Sequence, residues 1–275
     1  MVEPTIHLYR HESNTVSQMK FEDYVLGCMI AEMPLSFELE ALKAQAICAR
    51  TYAFRKLLDK KNYPCGADLS DNIMECQAFM VWEDYYDKHP HVSKDLIKRA
   101  QKAVQDTRGI IILYQQEPID AVYHSCCGGK TESAFNSWGR DTAYLQSVSC
   151  SYCQSSCYYT SSYSFPNTRI TGLVGKSEPW LQLSIIKKTA SGRTVELEIN
   201  GQRISGNEFR HKLGLPSNYF ELKVGATKTN IYCRGYGHGV GLCQFGANGM
   251  AKSGKDAQAI LRHYYGKIDF YKLPY

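Results

Sequence analysis

The chain has no uninterrupted apolar run of about eighteen residues, so none of its segments can cross a bilayer as a helix. The opening MVEPTIHLYR also lacks the basic-then-apolar layout of a signal peptide. The net charge is small. The 32 Lys and Arg stand against 27 Asp and Glu, and the basic residues are scattered rather than gathered into a stripe, which excludes nucleic acid as the natural partner. The small positive excess fits either an anionic wall polymer or an ordinary solvated surface. There is no internal repeat. No nucleotide fingerprint is present either: the glycines of GYGHGVG, residues 235–241, alternate strictly, miss the G-x-G-x-x-G spacing, and are not followed by a P-loop Lys-Ser or Lys-Thr.

What remains is the composition of a globular protein, 44% hydrophobic and 21% charged over 275 residues, long enough for one large core or two modest ones without a covalent staple. Cysteine is plentiful. The eleven thiols are an odd number and cannot all pair within the chain. Cys28 and Cys48 lie on apolar helical stripes, where a thiol acts as a small hydrophobe, whereas Cys126, Cys127, Cys150, Cys153 and Cys157 crowd into a short stretch. That crowding points to a metal more than to a ladder of disulfides.

The periodicities predict an α+β protein. A helix over 21–31 follows from Phe21, Tyr24, Val25, Cys28 and Met29, with Glu22 and Asp23 in its first turn and Pro34 as its stop. A second helix, capped by Ser36, carries Leu39, Leu42, Ala46, Ala49, Ala53 and Leu57 on one face. Residues 62–92 read as irregular, a third helix runs from Ser93 to Gly109, and IIILY with AVYHS forms a hairpin through the turn EPID. Short alternating segments between 165 and 225 form a smaller β-rich lobe. It is inserted in a helical core with β segments made of residues 1–164 and 226–275, with a groove between core and lobe faced by the first two helices and by the segments around His124 and His238. An amphipathic helix, DAQAILRHYYG, closes the chain.

Glu32 falls four residues after Cys28 and seven after Val25, on the apolar stripe of the first helix. A carboxyl there is desolvated and kept protonated, as a general acid requires; the other reading is a helix-end glutamate whose side chain swings into water. Cys150-x2-Cys153 has the bite of a zinc knuckle, and His124, Cys126 and Cys127 supply further donors upstream. The expected ligands of one structural zinc are His124, Cys127, Cys150 and Cys153, with Cys126 or Cys157 as substitutes. In a regular strand, Cys126 and Cys127 face opposite ways, and Cys127 is chosen because Gly128 and Gly129 can bend the chain. A disulfide within CSYC, or between that segment and HSCCGG, stays open as the rival. The alternating glycines let backbone and His238 approach a ligand closely, or else form a loop around a satisfied histidine. Some of the 20 tyrosines suit stacking on sugar rings.

The runs AEMPLSFELEALKAQAICARTYAF, YHSCCGGKTES, the pair Tyr144-Leu145 and GYGHGVGLCQFGANGMAKSG, in this order and spacing, resemble the stage II sporulation protein D (SpoIID) family. The resemblance implies a peptidoglycan lytic transglycosylase of the sporulating cell, held outside the cytoplasm by an N-terminal membrane anchor that this chain lacks, and acting in engulfment of the forespore. It implies a companion amidase and a membrane scaffold protein as partners. Its catalytic glutamate maps onto Glu32, and His124, Ser125, Tyr144, His238 and Gln244 fall in motifs around the substrate. A single carboxyl suffices for that chemistry, since the muramyl C6 hydroxyl rather than water closes onto C1, whereas a hydrolase needs two carboxylates. Two other functions stand beside it: a non-catalytic enhancer of a wall amidase, and an amidase using the Cys/His cluster.

Overall fold

Strands of period two and helices of period 3.6 alternate along this chain without building a large sheet. The computed structural model describes residues 2–90, 93–175, 178 and 180–275. Helices are interleaved with several small sheets, an α+β arrangement with no barrel among the described residues. Two units are present, Met1–Val122 with Met250–Tyr275, and Tyr123–Gly249.

In the first unit, β1 (Thr5–Arg10) and β2 (Thr15–Lys20) pair antiparallel, with Thr5 opposite Lys20. Ile6 and Leu8 point into the core while Thr5 and His7 face out. Helix α1 (Phe21–Glu32) follows without a break. It ends because Met33, which precedes Pro34, is extended at φ −129° and ψ 136°, the geometry proline imposes on its predecessor. Helix α2 (Leu39–Asp59) is the hub of the unit, buried almost all round through small residues such as Ala44, Ala46, Ala49 and Ala53. Its cap is not the expected Ser36. Residues 34–37 close a turn by Phe37 N–H to Pro34 O at 3.0 Å and bury Phe37, so the helix starts after Glu38 without a side-chain cap. The irregular stretch holds β3 (Leu69–Ser70), parallel to β1, and contains one helix that the aperiodic reading of 62–92 passed over, α3 (Trp82–Lys88). Helix α4 (Lys94–Asp106) is capped by Ser93 and packs Ile97, Ala100, Ala103 and Val104 inward.

The expected long hairpin is replaced by a short one. Gln115 and Gln116 both adopt positive φ and turn β4 (Ile110–Tyr114) onto β5 (Glu117–Pro118). Proline has no N–H to extend the ladder, and the principal partner of β4 is the strand Asp269–Lys272. The helix Ala257–Tyr265, capped by Asp256, supplies Tyr265, whose hydroxyl donates to Val122 O at 2.7 Å.

One ion pair sits inside this unit. Arg50, with a fully buried side chain, donates through Nε and Nη2 to both Glu22 oxygens at 2.9 and 2.6 Å. Glu22 also accepts from Gly109 N and Tyr275 Oη. Burial acts to raise the Glu22 pKa, but Arg50, Tyr275 and Gly109 outweigh it and hold the carboxyl below its ordinary value. Arg50→Met leaves that carboxylate buried and unpaired, and is expected to cost about 3–5 kcal/mol in urea unfolding. Because the folded pKa is depressed, the stabilisation is complete above the unfolded carboxylate value and is lost as pH falls through the folded one. The gap between wild type and Arg50→Met should therefore narrow in acid.

The second unit opens with β6 (Tyr123–His124), followed by helix α5 (Ala134–Trp138). Strand β7 (Thr160–Pro166) leads into helix α6 (Asn167–Thr171), and β8 (Leu183–Lys188), β9 (Thr194–Ile199) and β10 (Gln202–Ser205) form an antiparallel sheet. Helix α7 (Gly206–Leu213) comes next, at the NEFRHKLG segment. Strands β11 (Phe220–Val224) and β12 (Lys228–Arg234) join β7 in a second antiparallel sheet. Leu197, Ile199, Phe209, Phe220 and Ile231 meet in this unit's core, so the segment 165–225 packs on itself and on β12. Strand β13 (Leu242–Cys243) lies parallel to β6, placing Cys243 opposite His124.

Candidate functional site

Glu32 is the last residue of α1, at the negative end of the helix dipole, where an ionised carboxylate is disfavoured. Its side chain is half-buried and does not swing free, because Oε1 accepts the Ala78 amide at 3.0 Å. Burial raises its pKa above the ordinary value, and the Ala78 amide only partly opposes this. Buried Cys28 lies one turn back and feels the Glu32 charge. The Tyr52 phenol is raised first by burial and then by the charges of Cys76, Asp120, Asp59 and Glu32, in that order. Glu32 is thus a desolvated carboxyl at the end of a helix, held by the Ala78 amide.

In the second unit, the sulfurs of Cys127, Cys150, Cys153 and Cys243 form a buried cluster, all within 4.8 Å of one another, with Cys127 and Cys153 at 3.5 Å. A tetrahedral zinc with bonds of about 2.3 Å sets its thiolates about 3.8 Å apart, so the donor set fits one ion. Cys243 Sγ also accepts the backbone amides of Cys127 and Gly246, each at 3.3 Å, the outer-shell support typical of metal thiolates. The Cys127 thiol hydrogen-bonds to Cys150, lowering the Cys150 pKa to about 7 and raising that of Cys127. None of the eleven cysteines is in a disulfide.

Three of the four expected ligands, Cys127, Cys150 and Cys153, are therefore brought together, and the fourth member of the cluster is Cys243, with His124 not among the clustered donors. The bend at Gly128 and Gly129, both at positive φ, turns Cys127 into the cluster. His124 stays on the strand, where Nδ1 donates to Val240 O at 3.0 Å. Cys126 is buried beside the four and touches Cys153 and Cys243, while Cys157 is exposed.

The His124 and His238 rings meet edge to face at 5.6 Å. His238 Nε2 donates to Tyr123 O at 2.9 Å and Nδ1 accepts Val240 N at 3.1 Å, which fixes a neutral tautomer. Burial lowers its pKa to about 4. Burial, then the neighbouring His238 and Arg193 charges, lowers that of His124, whose buried Nε2 has no partner. Neither imidazole is an acid at neutral pH. His124 and Gln244 are each 4% exposed, Ser125 and Tyr144 are half-buried, and the half-exposed indole of Trp138, which no sequence pattern singled out, lies 5.2 Å from the His238 ring.

Two of the alternating glycines lie where their backbone is packed closely against other residues of the protein. At Gly237, φ +102°, a Cβ would stand 3.0 Å from the His124 Cβ. At Gly239, φ +83°, it would strike the Arg193 guanidinium at 2.3 Å. The segment is thereby laid against β6 and the chain after it, with Cys126 bridged to Tyr236 and Glu132 to Val240.

Residues 9–114 match the profile of the stage II sporulation protein family, SpoIID. The chain is 33% identical over 276 residues to stage II sporulation protein D of Bacillus amyloliquefaciens, covering 96% of this chain and 78% of that protein. It is 33% identical over 266 residues to the protein of the same description from Bacillus subtilis (strain 168), covering 95% and 77%. It is 25% identical to the amidase enhancer of Bacillus subtilis (strain 168), covering 87% of this chain and 39% of that protein.

Proposed function

The chain belongs to the stage II sporulation protein D family, and on that premise we propose that it is a lytic transglycosylase cleaving the bond between muramic acid and glucosamine in peptide-free peptidoglycan strands during engulfment. The observation that carries this reading is the state of Glu32, a half-buried carboxyl with a raised pKa, held by the Ala78 amide. Its proton goes to the glycosidic oxygen as the bond to C1 breaks. The carboxylate left behind takes the proton of the muramyl C6 hydroxyl as that oxygen bonds to C1, so one residue serves as acid and then as base and no water is consumed.

The substrate-binding roles of His124, Ser125, Tyr144, His238 and Gln244 remain part of the proposal. Direct contact falls to Ser125, Tyr144 and His238, while buried His124 and Gln244 shape the backbone beneath them. Zinc, when bound by Cys127, Cys150, Cys153 and Cys243, would supply a closed structural crosslink. Four protein thiolates complete a tetrahedral shell and leave no position for a catalytic water, which disfavours the metal-amidase reading.

The protein would act outside the cytoplasm on a membrane-anchored chain, with a wall amidase that strips stem peptides and a membrane scaffold as partners; likeness to a protein described as an amidase enhancer supports the amidase link. The test is mass spectrometry of products released from peptide-free glycan by the purified protein. Strands ending in 1,6-anhydromuramic acid are expected. Intact strands, together with stimulation of a wall amidase, would instead favour the enhancer reading.

A further inference from the structure

Arg193 is the one Lys or Arg buried in the second unit among the described residues, at 1% exposure. Arg50 in the first unit meets a carboxylate directly; Arg193 does not. Its Nη1 donates to Lys130 O and Ser191 Oγ, both at 3.0 Å, and its Nη2 to Cys127 O at 2.9 Å. Its Nε is buried with no acceptor, and the Tyr219 ring lies 5.5 Å away. The nearest acid, Glu132, is one hydroxyl removed. Its Oε2 accepts Ser191 and Thr189, each at 2.6 Å, and its Oε1 accepts Ser133 N and Asn136 Nδ2.

A buried guanidinium without a directly bonded anion is costly, and the fold goes to some length to keep this one in place. Gly239 leaves room where any Cβ would collide with Nη2. The carbonyl it grips belongs to Cys127, one of the four clustered sulfur residues. Four thiolates around a divalent cation carry a net charge of minus two, by arithmetic, inside a buried site. Two amide donors to Cys243 relieve only part of that charge.

We propose that Arg193 is the charge-compensating positioning residue of the four-cysteine metal centre, a buried cation that stabilises the metal tetrathiolate and fixes the Cys127 backbone. This rests on the reading that the cluster holds a divalent metal. Consistent with it, burial lowers the Arg193 pKa while the charges of Glu132, Cys127, Tyr219 and Cys243 oppose that shift.

Cobalt(II) alone is the probe, its affinity measured by chelator competition and its site by the thiolate-to-cobalt absorption band. Arg193→Met is expected to weaken cobalt binding about 10- to 100-fold, the range for loss of an outer-shell partner. Arg193→Lys should recover most of that loss, because it restores the charge without the fork. A residue that merely bridges two carbonyls would not be rescued by lysine, whose ammonium cannot replace the planar fork. By linkage, the stability loss in Arg193→Met must be larger in cobalt-loaded than in metal-free protein by the same factor. If the Met variant does not fold, Arg193→Gln makes the same comparison. Unchanged affinity in the neutral variants while the wild type binds cobalt, or equal destabilisation with and without metal, overturns the Arg193 assignment alone. A wild type that takes up no cobalt overturns the metal reading and this inference together.

Discussion

Glu32→Gln should cut the release of anhydro-ended fragments from peptide-free glycan by about a hundred- to ten-thousand-fold, the range that proton transfer contributes, with no loss of folded protein. Gln preserves the shape and can still accept the Ala78 amide, but it carries no transferable proton. The raised pKa of Glu32 sets the direction of two further readouts. Activity rises as pH falls toward that pKa, because the acid form starts the reaction. Stability tracks the other side of the equilibrium: the contribution tied to the protonated form is complete below the unfolded carboxylate value and is lost as pH rises through the folded one. Glu32→Gln should therefore match the wild type in acid and slightly exceed it at neutral pH in parallel thermal melts. Cleavage that persists undiminished removes Glu32 from the mechanism. Reducing ends in place of anhydro ends would implicate water and a second carboxylate.

The second large effect concerns the sulfur cluster. Protein purified without added metal is expected to contain close to one zinc per chain by elemental analysis. Cys243→Ser should lose most of it, and His124→Ala should not. Structural zinc sites contribute on the order of 10–16 kcal/mol of apparent binding free energy, as much as the whole stability of roughly 5–15 kcal/mol that most proteins have. Cys243→Ser or exhaustive chelation should accordingly abolish amide-exchange protection through Tyr123–Gly249. A metal-free protein with a Cys150–Cys153 disulfide would overturn the site, and retention of zinc by Cys243→Ser with its loss in His124→Ala would restore the histidine ligand.

Those two variants also mark where sequence reading succeeds and fails. Local order was legible wherever one physical rule dominated. Pro34 forces Met33 out of helical geometry and so ends α1 with Glu32 at its tip. Ser93 caps α4, and the amphipathic segment DAQAILRHYYG forms the helix Ala257–Tyr265. Ser36 was misread because a good cap residue is also a good turn residue, and the burial of Phe37 settled the competition in favour of the turn. Cys127, Cys150 and Cys153 were found through local spacing. Cys243 was missed because only the parallel pairing of β13 with β6 brings it there, and no periodicity encodes a non-local register. The alternation of the glycines marked a place of close approach, but not what approaches: the atoms nearest a Cβ at Gly237 and Gly239 belong to His124 and Arg193, which the sequence cannot place there. Arg193 itself stands at the start of an ordinary alternating strand segment, and nothing in that pattern distinguishes a buried cation from a solvated one.

The discontinuity of the first unit bears on how the protein is made. A ribosome delivers residues from the N-terminus onward, at roughly 5–20 per second. The chain bearing Glu32 therefore emerges early, yet its unit lacks Tyr265, Tyr275 and the strand that pairs with β4 until Met250–Tyr275 has followed. The whole of Tyr123–Gly249 is synthesised in the interval. Nascent chains stopped before residue 250 should thus contain every sulfur of the cluster, while the unit bearing Glu32 still lacks the strand that pairs with β4 and the hydroxyls that Val122 and Glu22 accept from.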